Sequence, residues 1–275
     1  MPKRLFTQDD PAIIEHDVRN AAAAGLSGFI VNWHGVGKPE QDLDSVFYSI
    51  RFEGVADAVR ELNREGIPFK LWIQYKASDE VLPSDFILGD FAYLKRRYAG
   101  DSAFDTSYTG KPIVIWAGSR KYPVEVIKTV VQKYRRSFTF IGDENWRSWN
   151  PERAALFEGG SYYWSSQNPY TNPDSFHQLR VLADSVRSDA STGSREGLWF
   201  APLTPGYNSE LGPGTTCVPR NDGETLRLLF QGNARTRPDG WTLISWNEIA
   251  EGTYVQPLRR WDDFFLDELR RLLLR

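Results

Sequence analysis

A single-domain (β/α)8 barrel of the α/β class is the fold that this sequence predicts, and three observations predict it. Short, continuously apolar runs recur along the 275 residues at intervals of about 30–40 residues. An amphipathic stretch follows nearly every run, the pattern of a parallel sheet whose faces are covered by helices. No Pro/Gly/Ser-rich linker divides the chain, the polar stretch 188–196 being short. The length also suits such a barrel, for which about 250 residues is typical. The other α/β arrangement, a doubly wound open sheet, brings a phosphate-binding Gly-x-Gly-x-x-Gly loop after an early strand, and the sequence has none.

The elements follow in order. Residues 10–25 read as a helix, with Asp9 or Asp10 as N-cap, Pro11 in its first turn and Gly25 as its stop. Gly28–Trp33 is a buried strand, and a helix follows from about Ser45 to Gly66. Pro68–Tyr75 is the second strand, with a helix from about Pro83 to Tyr98. Lys111–Trp116 and the helix 123–136 make the third unit, and Phe138–Gly142 is the fourth strand. Ser161–Trp164 is the fifth, backed by a helix over 173–187. Leu198–Pro202 and a helix over 223–235 come next, and then Trp241–Trp246 and the closing helix 261–274. This makes seven strands in a chain that opens on a helix, where a closed barrel needs eight. Either the first strand lies upstream of this sequence or 3–7 is a degenerate replacement, and the missing strand is the reading preferred here.

Composition narrows the function. Lys and Arg total 33 and Asp and Glu 36, mixed along the chain without long blocks of one sign. Nucleic acid and anionic membranes usually need a basic patch, so neither is an expected partner. No run reaches the roughly 18 apolar residues of a membrane span. The single cysteine, Cys217, rules out an internal disulfide. Thiolate-bound zinc needs more cysteines, and His16, His34 and His177 form no metal-spacing pair, so no metal or cofactor is expected. The N-terminal residues are basic but no apolar run follows, which is not a secretory signal. The sequence as given reads as cytoplasmic, and as extracellular or periplasmic if its natural start lies upstream. The oligomeric state is not legible.

Aromatic residues make up 14% of the chain, with 10 Trp. Barrel active sites lie at the carboxyl ends of the strands, and those ends gather a consistent set. They carry Asn32, Trp33 and His34, then Gln74 and Tyr75, then Trp116 and Arg120, then Asp143, Glu144 and Trp146. Tyr163, Trp164 and Gln167 follow, then Pro205, Gly206, Tyr207 and Asn208, and last Trp246, Asn247, Glu248 and Glu251. Rings, amides and carboxylates together suit a polyhydroxylated ligand, since rings stack on sugar faces while polar groups bind hydroxyls. Trp33, Trp116 and Trp164 serve either that purpose or as plugs of the barrel end. His34 reads either as a ligand contact or as a structural histidine. Asp143-Glu144 reads as a helix-start turn and Arg120 as solvated.

Trp241–Tyr254 carries the most chemistry. An apolar strand runs into Asn247, Glu248, Glu251 and Gly252. Paired carboxylates are the usual means of cleaving a glycosidic bond, one as acid and one as base or nucleophile. Glutamates at this spacing also occur at solvated edges and helix starts. On an extended strand residues three apart point to opposite faces, so the chain has to turn at Ile249-Ala250 to bring both to one sugar.

Ser245-Trp-Asn-Glu-Ile-Ala-Glu-Gly-Thr-Tyr-Val-Gln-Pro257 resembles the Asn-Glu-Trp-His-Glu-Gly-Thr segment of glycoside hydrolase family 99, the endo-α-mannosidases and endo-α-mannanases. Residues 8–33, from Gln8-Asp-Asp-Pro to Phe29-Ile-Val-Asn-Trp33, are similar to that family's second strand–helix boundary, and Ala201-Pro-Leu-Thr-Pro-Gly-Tyr-Asn208 to its strand 7 loop. The likeness runs from the family's second strand onward, which accounts for the missing first one. It implies a retaining endo-acting α-glycoside hydrolase on an α-mannoside or α-glucoside of an oligo- or polysaccharide. Glu248 would take the proton of the sugar's 2-hydroxyl, whose oxygen attacks the anomeric carbon. Glu251 would protonate the leaving oxygen and later activate water. Asn247, Trp33, His34, Gln74, Tyr75, Trp116, Trp164, Tyr207, Asn208 and Trp246 would line the substrate. Two departures stand out: Ile249-Ala250 replaces the family's Trp-His, and Gln74 stands where a carboxylate is usual. The α-1,3-glucanases of family 71 are a related barrel group. The other reading is a catalytically weak glycan-binding or polysaccharide-assembly protein on the same barrel.

Overall fold

The computed structural model describes residues 10–36, 43–76, 81–190, 195–209 and 214–274. Its chain falls into two compact units that divide between Asp143 and Glu144.

The N-terminal unit begins with α1 (Pro11–Ala23). Asp10 caps it, its Oδ1 accepting from Ala12 N at 2.9 Å, as the sequence predicts. Then β1 (Gly28–Trp33), α2 (Leu43–Arg64), β2 (Lys70–Tyr75), α3 (Ser84–Tyr98), β3 (Ile113–Trp116), α4 (Val124–Tyr134) and β4 (Thr139–Asp143) alternate. The four strands are parallel neighbours in chain order. Their register sets Trp33, Tyr75, Trp116 and Gly142 opposite one another in one row. Side chains alternate along a strand, so this row faces the same side. That side packs on the aromatic residues of α3. Trp33 stacks on Tyr93 with centroids 5.8 Å apart, while Tyr75 and Trp116 lie 5.1 and 6.0 Å from Phe91.

The C-terminal unit holds α5 (Pro151–Ala154), β5 (Gly159–Ser161), α6 (Ser175–Asp189), β6 (Leu198–Leu203), β7 (Tyr207–Asn208), β8 (Cys217–Val218), α7 (Glu224–Ala234), β9 (Gly240–Leu243) and α8 (Phe264–Leu273). β5, β6 and β9 are parallel neighbours, and β7 pairs antiparallel with β8. Trp164, Leu179, Leu182, Val186 and Trp199 share a core cluster. Trp199 Nε1 donates to Thr236 Oγ1 at 2.9 Å, so its buried N–H is satisfied. Arg153 holds Glu144 through two bonds of 2.8 and 2.6 Å, a buried pair beneath the start of α5. The Asp143-Glu144 pair, read from the sequence as a helix-start turn, instead ends β4 and enters the following loop, and the helical caps are Asn145 and Asn150.

The strands alternate with helices as expected, but the boundaries differ in places. The fifth strand is 159–161 rather than 161–164. Glycine has poor strand propensity, which hides Gly159 and Gly160 in the sequence. They are needed because a side chain at Gly159 would run into Leu198 O at 2.3 Å, and one at Gly160 into Val186 at 2.6 Å. The seventh parallel strand stops at Leu243 instead of Trp246, because the chain turns off into a loop there. The closing helix begins at Phe264 rather than Trp261. The short β7–β8 pair and α5 are additional. The stretch 3–7, read as a degenerate first strand, lies outside the described residues. No described helix is long and apolar enough to cross a membrane.

Candidate active site

The two carboxylates sit at the tip of a loop that closes on itself. After β9 the loop leaves through Ile244 and returns through Val255. Ser245 N donates to Thr253 O at 3.0 Å and Val255 N to Ser245 O at 3.0 Å. Gln256 N donates to Trp246 O at 2.9 Å, and the Ser245 and Thr253 hydroxyls bond at 2.8 Å. Inside this frame Ser245 Oγ accepts from Glu248 N at 2.9 Å, and Gly252 N donates to Ile249 O at 3.0 Å. The turn expected at Ile249-Ala250 is therefore present. Gly252 completes it at φ +63, a left-handed conformation that suits glycine. Asn247 and Glu248 are exposed at the tip, Glu251 and Trp246 partly buried.

Two other segments reach the loop. Asn208 N, on β7, donates to Glu251 O at 2.8 Å, which fixes the backbone under the second carboxylate. Tyr163, two residues past β5, donates its hydroxyl to Glu251 Oε2 at 2.7 Å. The ring is 41% exposed, yet the surroundings of its hydroxyl hold the phenol well above its usual pKa. Burial contributes most, the Glu251 hydrogen bond and charge next, and the Glu248 charge after them. Both glutamates thus act on one phenol, and a protonated phenol is a donor aimed at the carboxylate. Among the described residues, Glu251 Oε1 has no hydrogen-bond partner.

The C-terminal unit therefore brings together Glu248, Glu251, Asn247, Trp246, Asn208 and, beside it on β7, Tyr207. Trp164 is different. It is 1% exposed and packed against α6, so its faces are covered. The same correction applies in the N-terminal unit to Trp33, Tyr75 and Trp116, which are buried in the row that meets α3. A sugar-stacking ring has to present a face, and these present none. Tyr75 spends its hydroxyl on Asp90 Oδ2 at 2.8 Å, and burial foremost, then that carboxylate, raises its pKa. Asn32 and Gln74 occupy the alternate row of the same strands, with Asn32 exposed and Gln74 partly so. His34 stacks on Tyr48 with ring centroids 3.7 Å apart. Arg120 is not merely solvated: its Nη1 reaches Asp143 Oδ2 at 2.7 Å.

The sequence named Tyr163 only as one of several strand-end residues. Its bond to Glu251 joins residues 88 apart, and no local pattern carries that. Among the described residues no three His, Cys, Asp or Glu side chains converge as a metal-binding group.

No protein-family model matches this chain, and no curated protein does. Solved structures do. An endo-α-mannosidase of glycoside hydrolase family 99 from Bacteroides thetaiotaomicron superposes with a TM-score of 0.77 at 17% identity, over 98% of this chain and 80% of that one. The same enzyme in complex with bis-tris-propane gives the same score and identity over 84% of its length. A glycoside hydrolase-like protein superposes with a TM-score of 0.73 at 13% identity, over 99% of this chain and 89% of that one. The fold is thus that of the family 99 enzymes, a (β/α)8 barrel that lacks, among the described residues, its first strand.

Proposed function

We propose that this chain is a retaining, endo-acting α-glycoside hydrolase of an oligo- or polysaccharide, with Glu248 as base and Glu251 as acid. The observation that carries the reading is the closed loop 245–256, which carries both carboxylates on one turn and sets Glu251 against the Tyr163 hydroxyl. In this mechanism Glu248, exposed at the tip, removes the proton of the sugar's 2-hydroxyl. The resulting oxygen attacks the anomeric carbon, and the bond to the leaving oxygen breaks. Glu251 gives that oxygen its proton through Oε1, while Tyr163 holds Oε2 and so fixes the carboxyl plane. Water then opens the strained sugar with Glu251 as base, and the proton returns through Glu248 to the 2-hydroxyl. General acid and base assistance of this kind contributes about 10²–10⁴-fold each. In this reading Asn208, Asn247, Tyr207 and Trp246, which lie on or beside the loop, would meet sugar hydroxyls and ring faces. Mannose and glucose are the sugars the resemblance favours, and Ile249-Ala250 between the carboxylates distinguishes this site from the family's Trp-His.

The test is product release from α-linked manno- and gluco-oligosaccharides, comparing wild type with Glu248→Gln and Glu251→Gln. Cleavage by wild type alone, with the product's anomeric configuration retained by NMR, supports the reading. Glycan binding by folded wild-type protein without any cleavage overturns it in favour of a binding barrel.

A further inference from the structure

Arg220 follows β8 and turns back beneath the loop that bears the carboxylates. Its Nη2 donates to Gly252 O and to Tyr254 O, both at 2.7 Å. These two carbonyls flank Thr253, whose N–H reaches Glu248 O at 3.3 Å and whose carbonyl accepts from Ser245 N. One guanidinium thus grips the limb that leaves Glu251. Its carbon lies 4.4 Å from the Tyr254 ring centroid, 4.6 Å from Phe265 and 5.6 Å from Trp261. Rings and carbonyl dipoles take the place that a carboxylate partner usually has. Burial lowers the side chain's pKa to about 10, which leaves it charged at neutral pH.

The backbone is shaped around this side chain. Asn221, Asp222 and Gly223 are all left-handed, at φ 44, 46 and 81. Asn and Asp tolerate that region better than other side chains, so the chain turns sharply right after Arg220. A side chain at Gly206 would meet Arg220 Cγ at 2.7 Å. The bare glycine leaves Arg220 its path. The guanidinium donors end on the carbonyls of Gly252 and Tyr254, in the limb that runs from the exposed tip 247–250 to the buried Val255.

We propose that Arg220 is the positioning residue of the Glu248/Glu251 loop, holding Gly252–Tyr254 so that Glu251 keeps its place against Tyr163. This rests on the reading of Glu248 and Glu251 as the reacting pair.

The test uses the full chain and the variants Arg220→Ala and Arg220→Lys. Hydrogen exchange by mass spectrometry compares 245–256 with β6, and turnover of the cleaved oligosaccharide gives kcat and KM. In Arg220→Ala, 245–256 should exchange at least about tenfold faster while β6 is unchanged, as expected of a local opening. Its kcat should fall about 100-fold with KM little changed, the cost of misplacing a reacting group by about an ångström. Ethylguanidinium should restore part of kcat, and Arg220→Lys should keep less of it than the charge alone suggests. Unchanged exchange in 245–256, or faster exchange throughout β6 as well, overturns the proposal. Selective loosening of 245–256 in a chain whose wild type cleaves none of the panel upholds the clamp and overturns the hydrolase reading instead.

Discussion

The two units end their strands on similar residues and use them in opposite ways. In the N-terminal unit Trp33, Tyr75 and Trp116 lie in one register row, buried against α3, with the Tyr75 hydroxyl spent on Asp90. In the C-terminal unit Tyr163, Glu248 and Asn247 stand exposed past the strand ends, and the Tyr163 hydroxyl meets a reacting-group candidate. Both Tyr75 and Tyr163 donate to a carboxylate at close range. One carboxylate belongs to a helix in the core, the other to a half-buried position just behind a loop's exposed tip. A strand-end aromatic residue is therefore not evidence of a sugar platform by itself. What decides is whether its ring face and polar atom are already committed to the fold.

The comparison can be broken by substitution. Glu248→Gln and Glu251→Gln should each lower kcat/KM by about 10³-fold or more, since each removes a proton-transfer group. Gln74→Ala and His34→Ala should cost less than about tenfold. If a substitution in the N-terminal unit costs as much as the glutamates, the division of labour is wrong, and steady-state kinetics on the cleaved oligosaccharide settles it. Next in size is the buried ion pair of the C-terminal unit. Arg153→Met removes the two bonds that the guanidinium gives the buried Glu144 and should cost up to about 3–5 kcal/mol of stability in urea unfolding, while leaving the loop's own hydrogen bonds untouched.

The tyrosine pair sharpens the contrast. Tyr75→Phe should cost about 1–3 kcal/mol, because a buried carboxylate loses a donor. Tyr163→Phe should leave stability within about 0.5 kcal/mol but reduce kcat, seen as a kcat effect at constant KM. The reverse result would exchange the roles assigned to the two units.

Alkaline titration extends this to both units. Burial foremost raises the phenol pKa of Tyr75, Tyr98 and Tyr163. A raised folded pKa means that the folded state holds its proton more firmly than the unfolded chain. The stability this contributes is complete below the ordinary tyrosine value of about 10 and is lost as pH climbs above it. Phenolate absorbance should therefore appear in two stages, the exposed tyrosines first and the buried Tyr75 and Tyr98 only with unfolding. A single smooth titration of all tyrosines without unfolding contradicts the burial described.

Much of the fold is legible in the sequence where strands are continuous apolar runs between Gly and Pro, as in Gly28–Trp33 and Ile113–Trp116. β5 is harder, because close packing against Leu198 and Val186 requires glycines that carry no strand signal. The two-residue β7 and β8 are harder still, being defined by one another rather than by any local pattern. The carboxylates are legible from their own segment. Tyr163 and Arg220 act on that segment from 88 and 32 residues away, which only the folded chain reveals. Trp33 and Tyr75 are misleading for a simpler reason. A residue's place at a strand end is plain in sequence, but the face it takes depends on a register that shifts with every residue.

The cinched loop 245–256 works as a replaceable cassette. Its frame is made of backbone groups and the Ser245–Thr253 hydroxyl pair, and Arg220 grips it through carbonyls. None of those contacts uses the side chains of Ile249 or Ala250, both exposed at the crown. The crown can therefore change its chemistry while the carboxylates on either side keep their mount. Under the hydrolase reading proposed above, exchanging two residues would change which sugar is met and leave the scaffold alone.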